Sequence, residues 1–223
     1  MIVAIDGPAG SGKTTIAKLV AKRLGFFYLD TGAIYRAFTL KLIRLGFPID
    51  DLKKICDILD STSIDIRDGR LFLDGEDVTE LIRDPEVDKR VSLVAKIAKV
   101  RERLLPFQRR LVSGKNAVVE GRDMGTVVFP KAEVKVFLTA SLEERARRRH
   151  KELIQRGKNL SFDEVLEDLQ KRDEIDSNRE VAPLKIASDA IIIDTTGKTI
   201  DEVVEEVVSI VLQRYKGDSI LST

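Results

Sequence analysis

Residues 7–14 read Gly7-Pro8-Ala9-Gly10-Ser11-Gly12-Lys13-Thr14, a complete GxxxxGK[ST] loop, with Thr15 directly behind it. Each residue type has a task there. Glycines let the backbone curl into a nest whose N–H groups point at phosphate oxygens, and a helix N-terminus behind the nest adds its positive dipole end. Lys13 brings a point charge to the β- and γ-phosphates, and the Thr14 hydroxyl is of the kind that ligates Mg²⁺. A chance Gly/Ser turn of this pattern arises in about 1 % of chains of this size at average composition, before any flanking pattern is required. The flanks agree. Ile2-Val3-Ala4-Ile5 predicts a buried strand, and Ile16, Leu19, Val20 and Leu24 predict an amphipathic helix over residues 14–24 stopped by Gly25.

Such a loop serves kinases, GTPases and motor ATPases alike, so three further clusters carry the choice. Asp30-Thr31-Gly32-Ala33-Ile34-Tyr35-Arg36 places a carboxylate, a hydroxyl and an arginine after a predicted strand, where an acceptor phosphate has to lie. Glu120-Gly121-Arg122-Asp123 ends another strand, where an acid orders Mg²⁺ through water. Arg172, Asp176 and Arg179 are spaced i, i+4, i+7 and share a face if helical. That third set reads equally as an intrahelical ion-pair ladder. Together, one donor loop with separate arginines and acids at strand ends is the equipment of phosphoryl transfer between two anionic substrates. That chemistry relies on positioning and charge neutralisation.

The elements that must hold these residues form an α/β pattern. Phe26–Leu29, Ala117–Val119, Val134–Leu138 and Ala190–Ile193 predict further buried parallel strands, and helical stretches lie between and after them. Ser141-x-x-Glu144, Ser161-x-x-Glu164 and Thr199-x-x-Glu202 are capping boxes opening the later helices. Residues 63–77 alternate apolar and polar and contain two Asp-Gly pairs, which predicts an antiparallel β insert beside the parallel sheet. Residues 145–180 are densely charged and broken at Gly157-Lys158-Asn159. They read as a solvated helical hairpin or as a lid closing on phosphates, and Arg145, Arg147, Arg148 and Arg149 do not sort themselves between those roles.

Composition narrows the rest. The chain has 223 residues, 43 % of them apolar, and a formal charge of +1 although 34 % are charged. It is long enough for one domain with small inserts and carries no charge excess to recruit nucleic acid. Aromatic residues make up only 5 %, too few for a base-stacking platform. Met1 leads straight into the first strand and apolar runs stay short, so neither a signal peptide nor a membrane span is predicted. The single Cys56 suits a reducing cytoplasm, and the single His150, among Arg and Lys, has no partner for metal or triad chemistry.

With Gly7–Thr15, Tyr28–Arg36, Val119-Glu120-Gly121-Arg122-Asp123-Met124-Gly125 through Pro130, and Arg172-Asp173 through Asp176-Ser177-Asn178-Arg179 to Leu184, the chain resembles the bacterial-type cytidylate (CMP) kinases. These are P-loop nucleoside monophosphate kinases, and the likeness runs from Ile2 to about Val208. It implies an ATP- and Mg²⁺-dependent kinase of CMP and dCMP with a five-stranded parallel sheet, working as a cytoplasmic monomer without nucleic acid or membrane. It further implies a core of about 1–30, 111–144 and 181–223, an acceptor-binding region of about 31–110 and a helical lid of about 145–180. Carried over residue by residue, Thr31, Arg36, Arg122 and Arg179 look like ligands of the CMP phosphate. Ser92, Arg101 and Asp123 look like cytosine readers, and Arg172 with Asp176 look like pentose contacts. Lys13, Arg122 and Arg179 take the catalytic roles, and Thr14 with Glu120 the metal. Glu120 stands where many relatives carry Asp. The β insert and the Gly-Arg-Asp-Met-Gly run argue against AMP, UMP or an alcohol as acceptor. A GTPase reading meets only Asp194-x-x-Gly197 at the last strand and no Asn-Lys-x-Asp base reader.

Overall fold

A computed structural model describes residues 1–47, 51–67 and 69–220, the last five as backbone only. In chain order its first elements are β1 (Ile2–Asp6), α1 (Lys13–Leu24), β2 (Phe27–Asp30), α2 (Thr31–Arg44), α3 (Leu52–Asp60), β3 (Ile64–Arg67), β4 (Arg70–Leu73) and β5 (Glu76–Asp77). Then follow α4 (Pro85–Ala95), α5 (Ala98–Leu111), β6 (Ala117–Gly121), β7 (Val134–Thr139), α6 (Leu142–Gln155), α7 (Phe162–Asn178), β8 (Ile191–Asp194) and α8 (Ile200–Ile220). The chain forms two compact units. One comprises Met1–Leu29, Val112–Asn178 and the residues from Ala182 on, and the other Asp30–Leu111 with Arg179–Val181.

The first unit is built on a five-stranded sheet of order β2-β6-β1-β7-β8. β1 pairs in parallel with β6 and β7, and β7 with β8. The central place of β1 brings the phosphate loop to the middle of the sheet's carboxyl edge, where α/β sheets bind ligands. Val3 and Ile5 of β1, Val136 and Leu138 of β7, Ile16 and Val20 of α1 and Val204, Val207 and Val211 of α8 share one apolar core. α6 and α7 make a separate cluster with Ala146, Leu153, Val165 and Leu169, and Ala9 of the phosphate loop belongs to it.

Two expected apolar faces differ. Leu19 is exposed, because the buried stripe of α1 runs through Ile16, Ala17, Val20 and Ala21. The last strand is not buried either. β8 closes one edge of the sheet and leaves Ile191 and Ile192 exposed. The capping boxes at Ser161 and Thr199 form reciprocally, side chain to backbone N–H in both directions. At Ser141 only half forms. Ser141 Oγ accepts from the Glu144 N–H at 3.2 Å, but the Glu144 carboxylate turns to Arg147 and Arg148 instead.

The second unit holds the antiparallel sheet β3-β4-β5, paired Ile64 to Leu73 and Leu73 to Glu76. Asp68 of the first Asp-Gly pair lies outside the described residues. Leu71 and Leu73 of β4 pack with Ala33, Ala37 and Leu40 of α2 and with Val78, Ile82 and Val87. The role of this unit is to carry α2, α4 and α5, whose polar residues are described below.

Gly7, at φ 152°, follows β1 and lies hard against β7: a Cβ there would lie 2.1 Å from the Leu138 carbonyl oxygen. Gly25, the C-cap of α1 at φ 68°, has open space around it. Gly25→Ala is therefore expected to cost only the left-handed penalty, ~1 kcal/mol of unfolding free energy. Gly7→Ala must also push the strands apart, an expected ~3 kcal/mol. Urea unfolding of the pair checks the difference, and equal losses would contradict the contact.

Candidate active site

In the first unit the site grows from the end of β1. The chain turns at Gly7 into the phosphate loop and α1 begins at Lys13, so the loop amides surround a helix N-terminus. Lys13 is buried, and its Nζ donates to the Pro8 carbonyl at 2.6 Å and to Ser11 Oγ at 3.3 Å. Burial and the nearby Arg122 charge push its pKa well below the ordinary lysine value, while Glu120, Asp6 and Asp176 pull it back. Lys13 thus sits within electrostatic reach of Arg122, Glu120 and Asp176, three residues singled out from sequence.

Thr14 Oγ1 donates to Glu120 Oε2 at 3.1 Å, and the Tyr28 hydroxyl donates to Glu120 Oε1. The sequence reading gave Tyr28 no part, although its hydroxyl at the strand end could have marked it. Among the described residues no group of three His, Cys, Asp or Glu could cage a metal by itself. One hydroxyl beside one carboxylate fits Mg²⁺, which keeps waters and substrate phosphates as most of its ligands.

Arg122 follows β6, and its Nε donates to Asp176 Oδ2 at 2.9 Å. Asp176 is buried in the last turn of α7, where its carbonyl also accepts the Leu184 N–H. The expected face of Arg172, Asp176 and Arg179 is corrected in one respect. α7 ends at Asn178, so Arg179 lies outside the helix and groups with the second unit. Asp176 has an ion pair that leaves its own helix and runs to Arg122 across 54 residues of chain. Arg172 stays on α7, one turn before Asp176.

The four arginines of α6 separate clearly. Arg145 is buried and donates to the Ala140 and Ala9 carbonyls and to Asp173 at 2.6 Å. Asp173 in turn accepts the Ala9 N–H at 3.3 Å, so both α6 and α7 contact one residue of the phosphate loop. Arg148 donates to Thr195 and brings Nη1 within 3.8 Å of where a Gly12 Cβ would stand. Arg147 is exposed on Glu144, and Arg149 pairs with Glu152. His150 braces the helix connection, its Nε2 2.9 Å from the Leu160 carbonyl and its ring edge-on to Phe162.

The second unit carries its own polar cluster. Asp30 caps α2 by accepting the Ala33 N–H at 2.9 Å and also holds Arg83 at 3.0 Å. Burial pushes its carboxyl up, but Arg83, Arg36 and the Ala33 amide outweigh that and leave it below the ordinary value. Thr31 opens α2 and is buried. Arg36 donates through Nε and Nη2 to Asp88 Oδ1 at 3.2 and 3.1 Å. One turn after Asp88, Ser92 is buried on α4. Arg101 is buried on α5, donates to the Ala95 carbonyl and lies 5.4 Å over the Tyr35 ring. Arg83, Asp88 and Tyr35 were missed. An Asp one turn before Ser92 was the available signal for Asp88.

Asp6 was missed as well. It ends β1 beside Gly121, is buried, and accepts the Met124 and Gly125 N–H groups at 2.8 Å each. Burial raises its pKa to about 6 against those two amides, with Asp123 adding to the rise and Lys13 opposing it. A carboxyl raised in the folded state holds a proton that the unfolded chain has released, so its contribution to stability falls as pH rises from about 4 to 6. Between the ordinary 3.8 and about 6, the change is on the order of 3 kcal/mol. Asp6→Asn removes this component. The wild-type-minus-variant unfolding free energy, measured by urea at several pH values, is expected to decline over that window and level off above it; a flat difference would contradict the assignment.

The cytidylate kinase family model matches residues 3–213. The chain is 51 % identical to the cytidylate kinase of Caldanaerobacter subterraneus subsp. tengcongensis over 97 % of this chain and 96 % of that one. It is 51 % identical to the cytidylate kinase of Clostridioides difficile over 94 % and 97 %. Among solved structures, an uncharacterized protein from Eubacterium ventriosum superposes with a TM-score of 0.51 at 12 % identity, covering 94 % of this chain and 97 % of that one. A gluconokinase from Sinorhizobium meliloti does so with a TM-score of 0.50 at 16 % identity, covering 99 % and 97 %. Those two likenesses speak for the fold alone. The match over nearly the whole chain, on a phosphate loop whose lysine faces Glu120, Arg122 and Asp176, makes this protein a member of the cytidylate kinase family.

Proposed function

We propose that this protein transfers the γ-phosphoryl group of ATP to CMP and dCMP, giving ADP and CDP or dCDP. The observation that carries the reading is the gathering around Lys13 of a phosphate loop, an arginine and three acids in one unit, in a chain of this family. The loop amides and Lys13 hold the β- and γ-phosphates. Lys13, Arg122 and Arg179 neutralise charge that develops on the transferring group, and no acid–base pair is required of the protein. Thr14, and Glu120 through water, would hold Mg²⁺, which would supply positive charge to offset that of the phosphates.

Thr31, Arg36, Arg122 and Arg179 bind the acceptor phosphate. Arg36 and Arg122 already rest on the carboxylates Asp88 and Asp176, so their guanidinium groups are extended and held before substrate arrives. Ser92, Arg101 and Asp123 read the cytosine: a carboxylate accepts from the N4 amino group, and an arginine donates to N3 and O2. Arg172 and Asp176 meet the pentose. The protein acts as a cytoplasmic monomer on small nucleotides, without nucleic acid or membrane. No helix among the described residues is long and apolar enough to cross a membrane.

ADP release measured with ATP and each nucleoside monophosphate added singly tests the reading. CMP and dCMP are expected to be the preferred acceptors, and a preference for AMP would refute it. Lys13→Ala is expected to lower kcat by ~10³-fold or more, because its charge counts most in the transition state. Near-full activity in that variant would remove the loop from the mechanism.

Residues 145–180 act as the lid. Arg147, Arg148 and Arg149 rest on carboxylates of their own helix, and Arg145 and Asp173 tie the segment to Ala9. Amide hydrogen exchange over 145–180 is expected to slow when ATP and CMP are added together; unchanged exchange there would exclude a closing lid.

A further inference from the structure

The Pro8–Ala9 peptide is trans, so its carbonyl and N–H point in opposite directions, and a charged side chain holds each of them. Lys13 Nζ donates to the Pro8 carbonyl at 2.6 Å, and on the other side the Ala9 N–H donates to Asp173 Oδ1 at 3.3 Å. Asp173 comes from α7, across 164 residues of chain. Arg145 of α6 holds that acid in turn, with Nη1 2.6 Å from Asp173 Oδ2, and the same nitrogen donates to the Ala9 carbonyl at 2.9 Å. The guanidinium is itself fixed, since its Nε donates to the Ala140 carbonyl at 3.1 Å. α6 also stands close behind the next loop residue: a Cβ on Gly10 would lie 3.2 Å from the Arg145 carbonyl oxygen. The bend of the loop at Ala9 is thus set by an ion pair of α6 and α7, and Lys13 rests on the first of the two peptides so held.

We infer that Asp173 is a positioning residue for Lys13: by holding the Ala9 N–H, it turns the Pro8 carbonyl to the lysine ammonium and so places that charge within the phosphate loop. The inference rests on the reading that Lys13 neutralises charge on the ATP phosphates. A lysine ammonium rides on a long flexible stem, and a buried one takes its direction from the acceptors around it. For Lys13 these are the Pro8 carbonyl and Ser11 Oγ. Hydrogen bonds at the two ends of one peptide polarise each other, so the Asp173 carboxylate also strengthens that carbonyl as an acceptor. Without Asp173 the Ala9 N–H is left unpaired in a residue only 3 % exposed. The peptide can then turn, and the seat of the ammonium turns with it.

The test compares kcat in wild type, Asp173→Ala, Asp173→Asn, Lys13→Ala and the double variant Lys13→Ala with Asp173→Ala. Asp173→Ala is expected to lower kcat about tenfold, the worth of one hydrogen bond to a charged group. Asparagine keeps an oxygen for the Ala9 N–H but not the charge that pairs with Arg145. Asp173→Asn should therefore recover most of the loss. In the Lys13→Ala background Asp173→Ala should cost nothing further, because the group it positions is gone. Should Asp173→Ala not fold, Arg145→Met with Asp173→Leu replaces the ion pair by apolar side chains that keep α6 on α7. That variant is expected to show the same loss with Lys13 present and none without it. If Asp173→Asn is as slow as Asp173→Ala, or if the loss persists without Lys13, the acid only joins α6 to α7 and the inference is overturned. Full activity in Asp173→Ala overturns it too. If Lys13→Ala is itself nearly fully active, the reading of the phosphate loop has failed and this inference falls with it.

Discussion

A buried ammonium group organises the first unit. Lys13 has to be charged to act on phosphates, yet its Nζ lies in the interior, where desolvation favours the neutral amine. Arg122 nearby makes matters worse. Three acids at the carboxyl ends of the strands and in the last turn of α7 pull in the other direction: Glu120, Asp6 and Asp176. This explains why carboxylates of three different elements converge on a loop whose ligand is itself an anion. Each acid then has a second task that fixes its direction. Glu120 holds Thr14 and Tyr28, Asp6 holds the turn after Arg122, and Asp176 holds Arg122 itself.

The same arrangement recurs in the second unit. Arg36 rests on Asp88 and Arg83 on Asp30, just as Arg122 rests on Asp176. Buried and half-buried ion pairs add little net stability, because desolvation offsets their attraction. Their effect here is conformational. A free arginine would sample many rotamers and lose that freedom on meeting a phosphate. An arginine already extended along a carboxylate has lost most of it during folding.

The fold was largely legible in the sequence, because its signals are periodic and local. Four-residue apolar runs, a helical stripe ended by Gly25 and an alternating segment with Asp-Gly turns each report on near neighbours in the chain. Errors came where a residue's surroundings depend on distant elements. The apolar run at Ile191–Ile193 looks buried, but strand order decides burial, and β8 happens to be an edge. The site was half legible for the same reason. The phosphate loop, Arg122 and Asp176 lie in dense motifs. Asp6, Arg83 and Asp88 are single charged residues whose partners stand 118, 53 and 52 residues away. No spacing rule reaches that far. The one local hint was chemical: a charged residue at the end of a buried strand needs a partner there.

That hint extends to α6 and α7. Arg145 and Asp173 sit on different helices, and each touches a backbone group of Ala9 as well as the other. An Arg–Asp pair alone would hold α6 to α7. Linked to both the N–H and the carbonyl of Ala9, it also holds the two peptide planes on either side of the Ala9 Cα in the phosphate loop. Ala9 has its side chain in the apolar cluster of these same helices, beside Ala146 and Leu153. Polar and apolar contacts therefore act on one residue from one pair of helices. Any rearrangement of α6 against α7 must either break the Ala9 contacts or turn those two peptides. The shape of the phosphate loop at Ala9 and the packing of α6 against α7 are consequently tied to one set of contacts.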